Sequence, residues 1–222
     1  MKKLGFLIFI FAFVIGLIFT PGCNFGNMTG IKGSGTSKTE QRSVSDFTKI
    51  DAGGAMNVEV DAQKDFSVSV EADDNLLQHI KTEVSGDTLK IYSEGKISPS
   101  AKLNVKISMP AIEGLNLSGA SDGKITNVRA GSFELKASGA SEVTIIGEAK
   151  NLEADASGAS EIDAEGLKVE DANIEASGAS SASVSATNNL EATASGASKI
   201  YYAGEPKNIK QNASGASSIN KK

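Results

Sequence analysis

The tetrapeptide Ser-Gly-Ala-Ser begins at residues 118, 138, 157, 177, 195 and 214 of this 222-residue chain, at spacings of 20, 19, 20, 18 and 19. Self-similarity at such a period is the mark of a solenoid, in which each repeat buries its apolar face only against its neighbours. The registers around the tetrapeptide say what a repeat is made of. One residue before its first Ser stand Leu117, Ala137, Ala156, Ala176, Ala194 and Ala213; three before it stand Leu115, Leu135, Ala154, Ile174, Ala192 and Gln211. Two residues after its last Ser stand Gly123, Val143, Ile162, Ala182, Ile200 and Ile219; four after it stand Ile125, Ile145, Ala164, Val184 and Tyr202. This alternation predicts a strand, a tight corner and a second strand in every repeat. About 19 residues leave no room for a helix as well, and they suit one coil of a parallel β-helix with coils roughly 4.8 Å apart.

The corner residues follow from that geometry. Gly119, Gly139, Gly158, Gly178, Gly196 and Gly215 are expected to take a left-handed backbone conformation, which glycine adopts without steric cost. The serines are expected to stack coil on coil, bonding each other or nearby backbone. The corner alanines are expected inside, keeping the coil thin. A thin interior buries little apolar area per residue, so one coil cannot stand alone and the stack must be capped.

Upstream, Val58 and Val60, then Phe66, Val68 and Val70, then Leu89 and Ile91, then Leu103, Val105, Ile107 and Met109 alternate with period two. These are half-buried strands. Ser85-Gly86-Asp87 marks a turn, and Asp73-Asp74-Asn75 is placed to cap one helical turn through Leu76, Leu77 and Ile80. Ile50 to Val58, with Gly53-Gly54-Ala55-Met56 at its centre, is a degenerate copy of the strand-corner-strand unit. The predicted fold class is therefore all-β. It is a parallel β-helix of about six 19-residue coils over 114–222, continuous with a β-rich N-terminal cap over 46–113.

The first 22 residues read as an address. Lys2 and Lys3 precede an apolar run from Leu4 to Phe19, and Thr20-Pro21-Gly22-Cys23 follows. The run is 16 residues, short for a spanning helix of roughly 20, so a cleaved signal is expected and an uncleaved membrane helix is the alternative. Cys23 is the only cysteine, which excludes an internal disulfide. Its setting resembles the lipobox of bacterial lipoproteins, although the usual Leu-Ala/Ser-Gly-Cys is here Thr-Pro-Gly-Cys. The resemblance implies lipid attachment at Cys23 and, as partner, a membrane reached through that anchor. Residues 23–45, rich in Gly, Ser, Thr and Asn, are expected to be a flexible linker.

Beyond residue 22 the chain keeps all 27 acids and 20 of its 22 basic residues, a formal charge of −7, with four Phe, three Tyr and no Trp. An acidic, ring-poor surface disfavours nucleic acid. Catalytic groups are scarce. His79 is the only histidine, and Arg42 and Arg129 are the only arginines. No Ser/His/Asp set or histidine metal site can be assembled, so no cofactor and no metal are expected, and the chain is not read as an enzyme. The six-fold serines are structural, since a nucleophile is singular.

Carboxylates are the exception. On the strand before the corners, Glu134, Glu153 and Glu191 share one outward column, and Asp155 and Glu175 the next. Stacked one coil apart they repel. The column is either a binding face relieved by Ca²⁺ or a cationic partner, or a solvated face that keeps the rod soluble.

Three stretches together resemble the head GIN domain family of bacterial envelope proteins, which carries an autotransporter-adhesin label. They are Phe47 to Val60, Val68 to Tyr92, and Ile200 to Pro206 followed by Ser214 to Asn220. The resemblance spans about residues 46 to 220 and implies an exported, all-β, β-helical protein; it brings no catalytic residues. The expected function is a non-catalytic envelope lipoprotein of the outer membrane, presenting a β-helical surface to a cell-surface or envelope protein or polysaccharide. The alternatives are a periplasmic sensor or accessory lipoprotein and a carbohydrate-active β-helix using Glu153 and Asp155.

Overall fold

A computed structural model describes residues 30–222. Cys23 and the signal segment lie outside them. Fifteen strands form one continuous hydrogen-bonded sheet wound into a solenoid of about five turns. The repeats supply β9 (Asp122–Ala137), β10 (Glu142–Ala156), β11 (Glu161–Ala176), β12 (Ser181–Ala194), β13 (Lys199–Ala203), β14 (Asn208–Ala213) and β15 (Ser218–Lys221). Each pairs in parallel with the equivalent strand one coil away: Val143 faces Gly123 and Ile162, and Ala154 faces Leu135 and Ile174. Each long strand is bent. In β10 the register slips between Ile145 and Gly147, where Gly147 has φ +150°. The bend separates a first flank after the corner from a second flank before the next one.

The corners form one ladder. The N–H groups of Ala120, Ala140, Ala159, Ala179, Ala197 and Ala216 each donate at 2.7 Å to the carbonyl of the glycine one coil earlier, from Gly54 to Gly196. The Gly54 corner lies between β2 (Lys49–Gly54) and β3 (Asn57–Ala62) and stacks as a true rung, so the degenerate copy at Ile50 to Val58 is part of the solenoid. The six predicted glycines have φ between +75° and +86°.

The corner alanines point outward, against expectation, and are exposed. The tight turn directs their Cβ away from the axis. Thinness comes instead from strand alanines such as Ala137, Ala154, Ala164, Ala182 and Ala192, all buried. The last serine of the first five repeat corners is buried: Ser121, Ser141, Ser160, Ser180 and Ser198 are at most 2% exposed, while Ser217 at the open end is half-buried. Their hydroxyls bond backbone and not one another. Ser160 Oγ donates to Ser157 O (2.9 Å) and shares its proton with Ala137 O (3.0 Å) in the previous coil. Ser160→Ala keeps the Ser157 N–H on that carbonyl. It should therefore cost only the net value of one hydrogen bond, about 1 kcal/mol, read as a shift in denaturant midpoint at unchanged m-value.

The N-terminal end is built out of sequence order. β6 (Thr88–Ser93) and β7 (Asn104–Met109) pair in parallel with β2 and β3, forming a rung outside the one that precedes them in the chain. β8 (Gly114–Gly119) then returns to the other side of β2. Beyond β6 and β7 the pairing turns antiparallel: β5 (Ile80–Ser85) joins β6, β4 (Ser67–Asp73) joins β7, and β1 (Ser37–Arg42) joins β4. This cap holds the bulkier core, with Phe47, Leu76, Leu77, Ile80, Leu89 and Met109 buried. The turn at Ser85 to Asp87 closes the β5–β6 hairpin as expected.

Two expectations change here. The stretch 23–45 is not a free linker throughout: from Gly30 the chain is docked, and Ser37–Arg42 is strand β1. β1 has no apolar period because it is an edge strand with one exposed face and a half-buried polar face, held by backbone pairing and by Arg42, which donates to Leu77 O at 3.0 Å. The helical turn exists as a single 3-10 turn, Leu77–His79, but no side chain caps it. Asp73, Asp74 and Asn75 bind the incoming chain instead, accepting from Gly35 N, Ser34 Oγ and Ser34 N. His79 is half-buried.

Candidate binding groove

Period-two alternation sends every second side chain of the second flank outward, and parallel in-register stacking aligns those side chains into columns. One column reads Gly114, Glu134, Glu153, Asn173, Glu191 and Lys210. The next holds Lys136, Asp155, Glu175 and Thr193. All five predicted acids thus lie on one flank, in the two columns expected. A third column, Ser132, Asn151, Asp171, Asn189 and Asn208, runs along the bend and was not foreseen. The signal for it was present: these residues recur two positions before the glutamate column.

Between the bend and the glutamate column runs an open groove of about 760 Å³. Its floor is the backbone and buried side chains of Phe133, Leu152 and Ala172, and its rims are the acid and amide columns. The amides bond along the stack. Asn151 Nδ2 donates to Ser132 Oγ (3.2 Å), Asn208 Nδ2 to Asn189 Oδ1 (2.9 Å), and Asn188 Nδ2 to Asp171 Oδ1 (2.9 Å), which Asn189 also reaches.

In the glutamate column this chain's own residues ease the repulsion between stacked carboxylates, whereas Asp155 and Glu175 in the next column face each other directly. Lys136 Nζ lies 2.6 Å from Glu134, Asn173 separates Glu153 from Glu191, and Lys210 Nζ lies 2.5 Å from Glu191. The hydrogen bond and charge of Lys136 hold the Glu134 carboxyl below its ordinary value, and Glu134 in return raises Lys136. Because the folded value is the depressed one, this interaction is present above the ordinary carboxylate value of 4.5 and is lost as pH falls through the lower folded value. In Lys136→Met the carboxyl resonance of Glu134, followed by NMR, should titrate closer to 4.5 than in the parent chain.

The groove can accept hydrogen bonds and positive charge along its length. Among the described residues no group of three or more His, Cys, Asp or Glu has the geometry to hold a metal ion. His79 sits in the cap, away from these columns. A general acid needs its proton retained near neutrality, and Glu134 is shifted in the opposite direction.

The sequence profile of the family described as "Putative auto-transporter adhesin, head GIN domain" matches residues 46–206. The chain belongs to the head GIN domain family. The match takes in the Gly54 corner and the repeat corners through Gly196, and leaves out β1, β14 and β15.

Solved structures share this fold. A "putative adhesin" of Bacteroides fragilis is 21% identical with a TM-score of 0.71, covering 87% of this chain and 100% of its own. A "putative adhesin" of Parabacteroides distasonis is 20% identical with a TM-score of 0.54, covering 86% and 99%. A "putative lipid binding protein" of the same species is 25% identical with a TM-score of 0.50, again covering 86% and 99%. No curated protein matches the sequence. The head GIN domain places the chain among adhesin-like proteins of the cell envelope or surface.

Proposed function

We propose that this head GIN protein is a lipid-anchored envelope protein that acts without catalysis, holding a surface or envelope partner along the second-flank groove. The observation that carries this reading is the groove itself. It is a long open channel whose rims repeat acid and amide acceptors once per coil, over a smooth backbone floor. Such a surface matches an extended polymer rich in hydroxyl or amino groups better than a compact substrate. It suits an acyl chain poorly, because an apolar ligand needs an apolar lining. The lipid-binding designation of the Parabacteroides distasonis relative therefore supports a different occupant from the one favoured here.

The test is binding of the purified chain to cell-surface polysaccharides, peptidoglycan and envelope proteins, alongside a Glu153→Ala/Asp155→Ala variant. Retention of a polymer by the parent and its loss in the variant, with the fold intact by circular dichroism, supports the reading. Turnover of a glycan by the parent, abolished in the variant, replaces it with a hydrolase. Binding to nothing in the panel removes its content. Protease shaving of whole cells then separates an adhesin, which is cleaved from outside, from a protected periplasmic accessory protein.

A further inference from the structure

We propose that the N-terminal foot of the rod is a membrane-facing surface, held against anionic lipid headgroups beside the Cys23 anchor; this rests on the lipid-anchor reading above. The first observation is where the described chain starts. Gly30 already lies against Ile97, Ile31 N donates to Lys96 O (2.7 Å), and Ser98 N donates back to Ile31 O (3.0 Å). Only six residues lie between Cys23 and Gly30, and the seven steps from one to the other reach at most about 25 Å even fully extended. A linker running to Ser45 would have reached about 75 Å and left the orientation open.

The docking point belongs to the β6–β7 rung, at the capped end of the stack. From β7 to β15 the first flank counts eight strands, a height of roughly 34 Å at about 4.8 Å per step. The leash is shorter than the rod, so the rod cannot stand inverted with its far end at the bilayer.

Charge chooses between standing and lying flat. No acid precedes Glu40, and none lies between Glu94 and Glu113, so both segments that meet at the Ile31–Ile97 bridge are acid-free. They bring Lys32, Lys96 and Lys102 to this corner, with Pro99 and Ser100 exposed beside them. Of the acids on neighbouring strands, Glu94 pairs with Lys81 at 3.3 Å and Glu40 lies between Lys38 and Arg42, while Asp73 and Asp74 accept from the uncharged Gly35 N and Ser34 Oγ and keep their charge, two against the three lysines. The flanks, by contrast, carry the carboxylate columns, which anionic headgroups repel. Each lysine near an anionic surface contributes about fivefold in affinity.

The experiment uses the full, membrane-extracted chain reconstituted into phosphatidylglycerol-containing or purely phosphatidylcholine vesicles. A fluorophore is placed through Ser100→Cys at the foot or Asn212→Cys on β14, and a quencher is carried on the lipid. Quenching several-fold stronger at position 100 than at 212 is expected, falling in neutral vesicles and in a Lys96→Glu/Lys102→Glu variant. Equal quenching at the two positions overturns the proposal, as does quenching at 100 that ignores both lipid charge and charge reversal. Intact mass on the same preparation separates the two claims. An unmodified Cys23 overturns the anchor and this inference together; an acylated Cys23 with equal quenching overturns this inference alone.

Discussion

Gly139→Ala is expected to destabilise the protein by about 3 kcal/mol or more, and the loss divides into two parts that other glycines isolate. Gly139 has φ +81°, and a Cβ built there meets the carbonyl oxygen of Gly119 at 2.5 Å and its nitrogen at 3.1 Å. Those atoms are backbone of the previous coil and already carry the corner ladder, so they cannot turn aside as a side chain would. Gly86 shares the strain without the clash: φ is +65° and nothing lies within 4 Å. Gly86→Ala should therefore cost only about 1 kcal/mol. Gly131 has neither an unusual φ nor a neighbour within 4 Å, so Gly131→Ala should be neutral or stabilising by up to about 1 kcal/mol. Urea or guanidinium midpoints of the three variants, at constant m-value, check the ordering. If Gly139→Ala behaves like Gly86→Ala, the corners separate cheaply and the ladder is not what fixes the spacing between coils.

The same ladder explains why the repeat half of the fold was readable from sequence and the cap was not. Parallel in-register stacking makes every coil meet the same neighbours, so each structural demand recurs as a visible period. The corner glycines, the inward alternation from Leu135 to Ala192 and the acid columns at Glu134 and Asp155 all follow from it. Even the degenerate corner at Gly54 kept its glycine and its flanking alternation. The cap has no such redundancy. β1 is polar on both faces because backbone pairing and polar side-chain bonds, not apolar burial, hold it, and composition reads it as linker. The rung made by β6 and β7 lies outside β2 and β3 although it follows them in the chain, an order that local alternation does not encode. The corner alanines misled for a third reason. Small size fits either a crowded interior or a tight outward turn, and only the turn's direction decides. In the groove the carboxylates were visible as charge, while the amide column beside them carries no charge and passed unnoticed until pairing aligned it.

Phe133→Ala should be the most costly truncation in the repeat half, at about 3–5 kcal/mol. Phe133 is 1% exposed and forms the groove floor at one end of an inward column continued by Leu152, Ala172 and Leu190. Cavity cost depends on how far surrounding atoms can relax. Here the neighbour in the next coil, Leu152, is fixed by backbone pairing at the coil spacing, and the nearby inward positions of β10 include Ala149 and Ala154, whose side chains have no reach. The void therefore stays open. The opposite change in the same column, Ala172→Leu, should cost about 1–3 kcal/mol by overpacking, because a thin coil has no slack to take a larger side chain. Both variants should still unfold in one transition, since each coil contributes little alone and its stability lies largely in the interfaces with its neighbours. In a Tyr92→Phe background, far-UV circular dichroism and fluorescence of Tyr201 and Tyr202, near the opposite end of the stack, should lose signal together during guanidinium unfolding. Tyrosine signal that survives after half the strand signal has gone would show the solenoid splitting at the Phe133 coil, and would make the cap and the distal coils separate folding units.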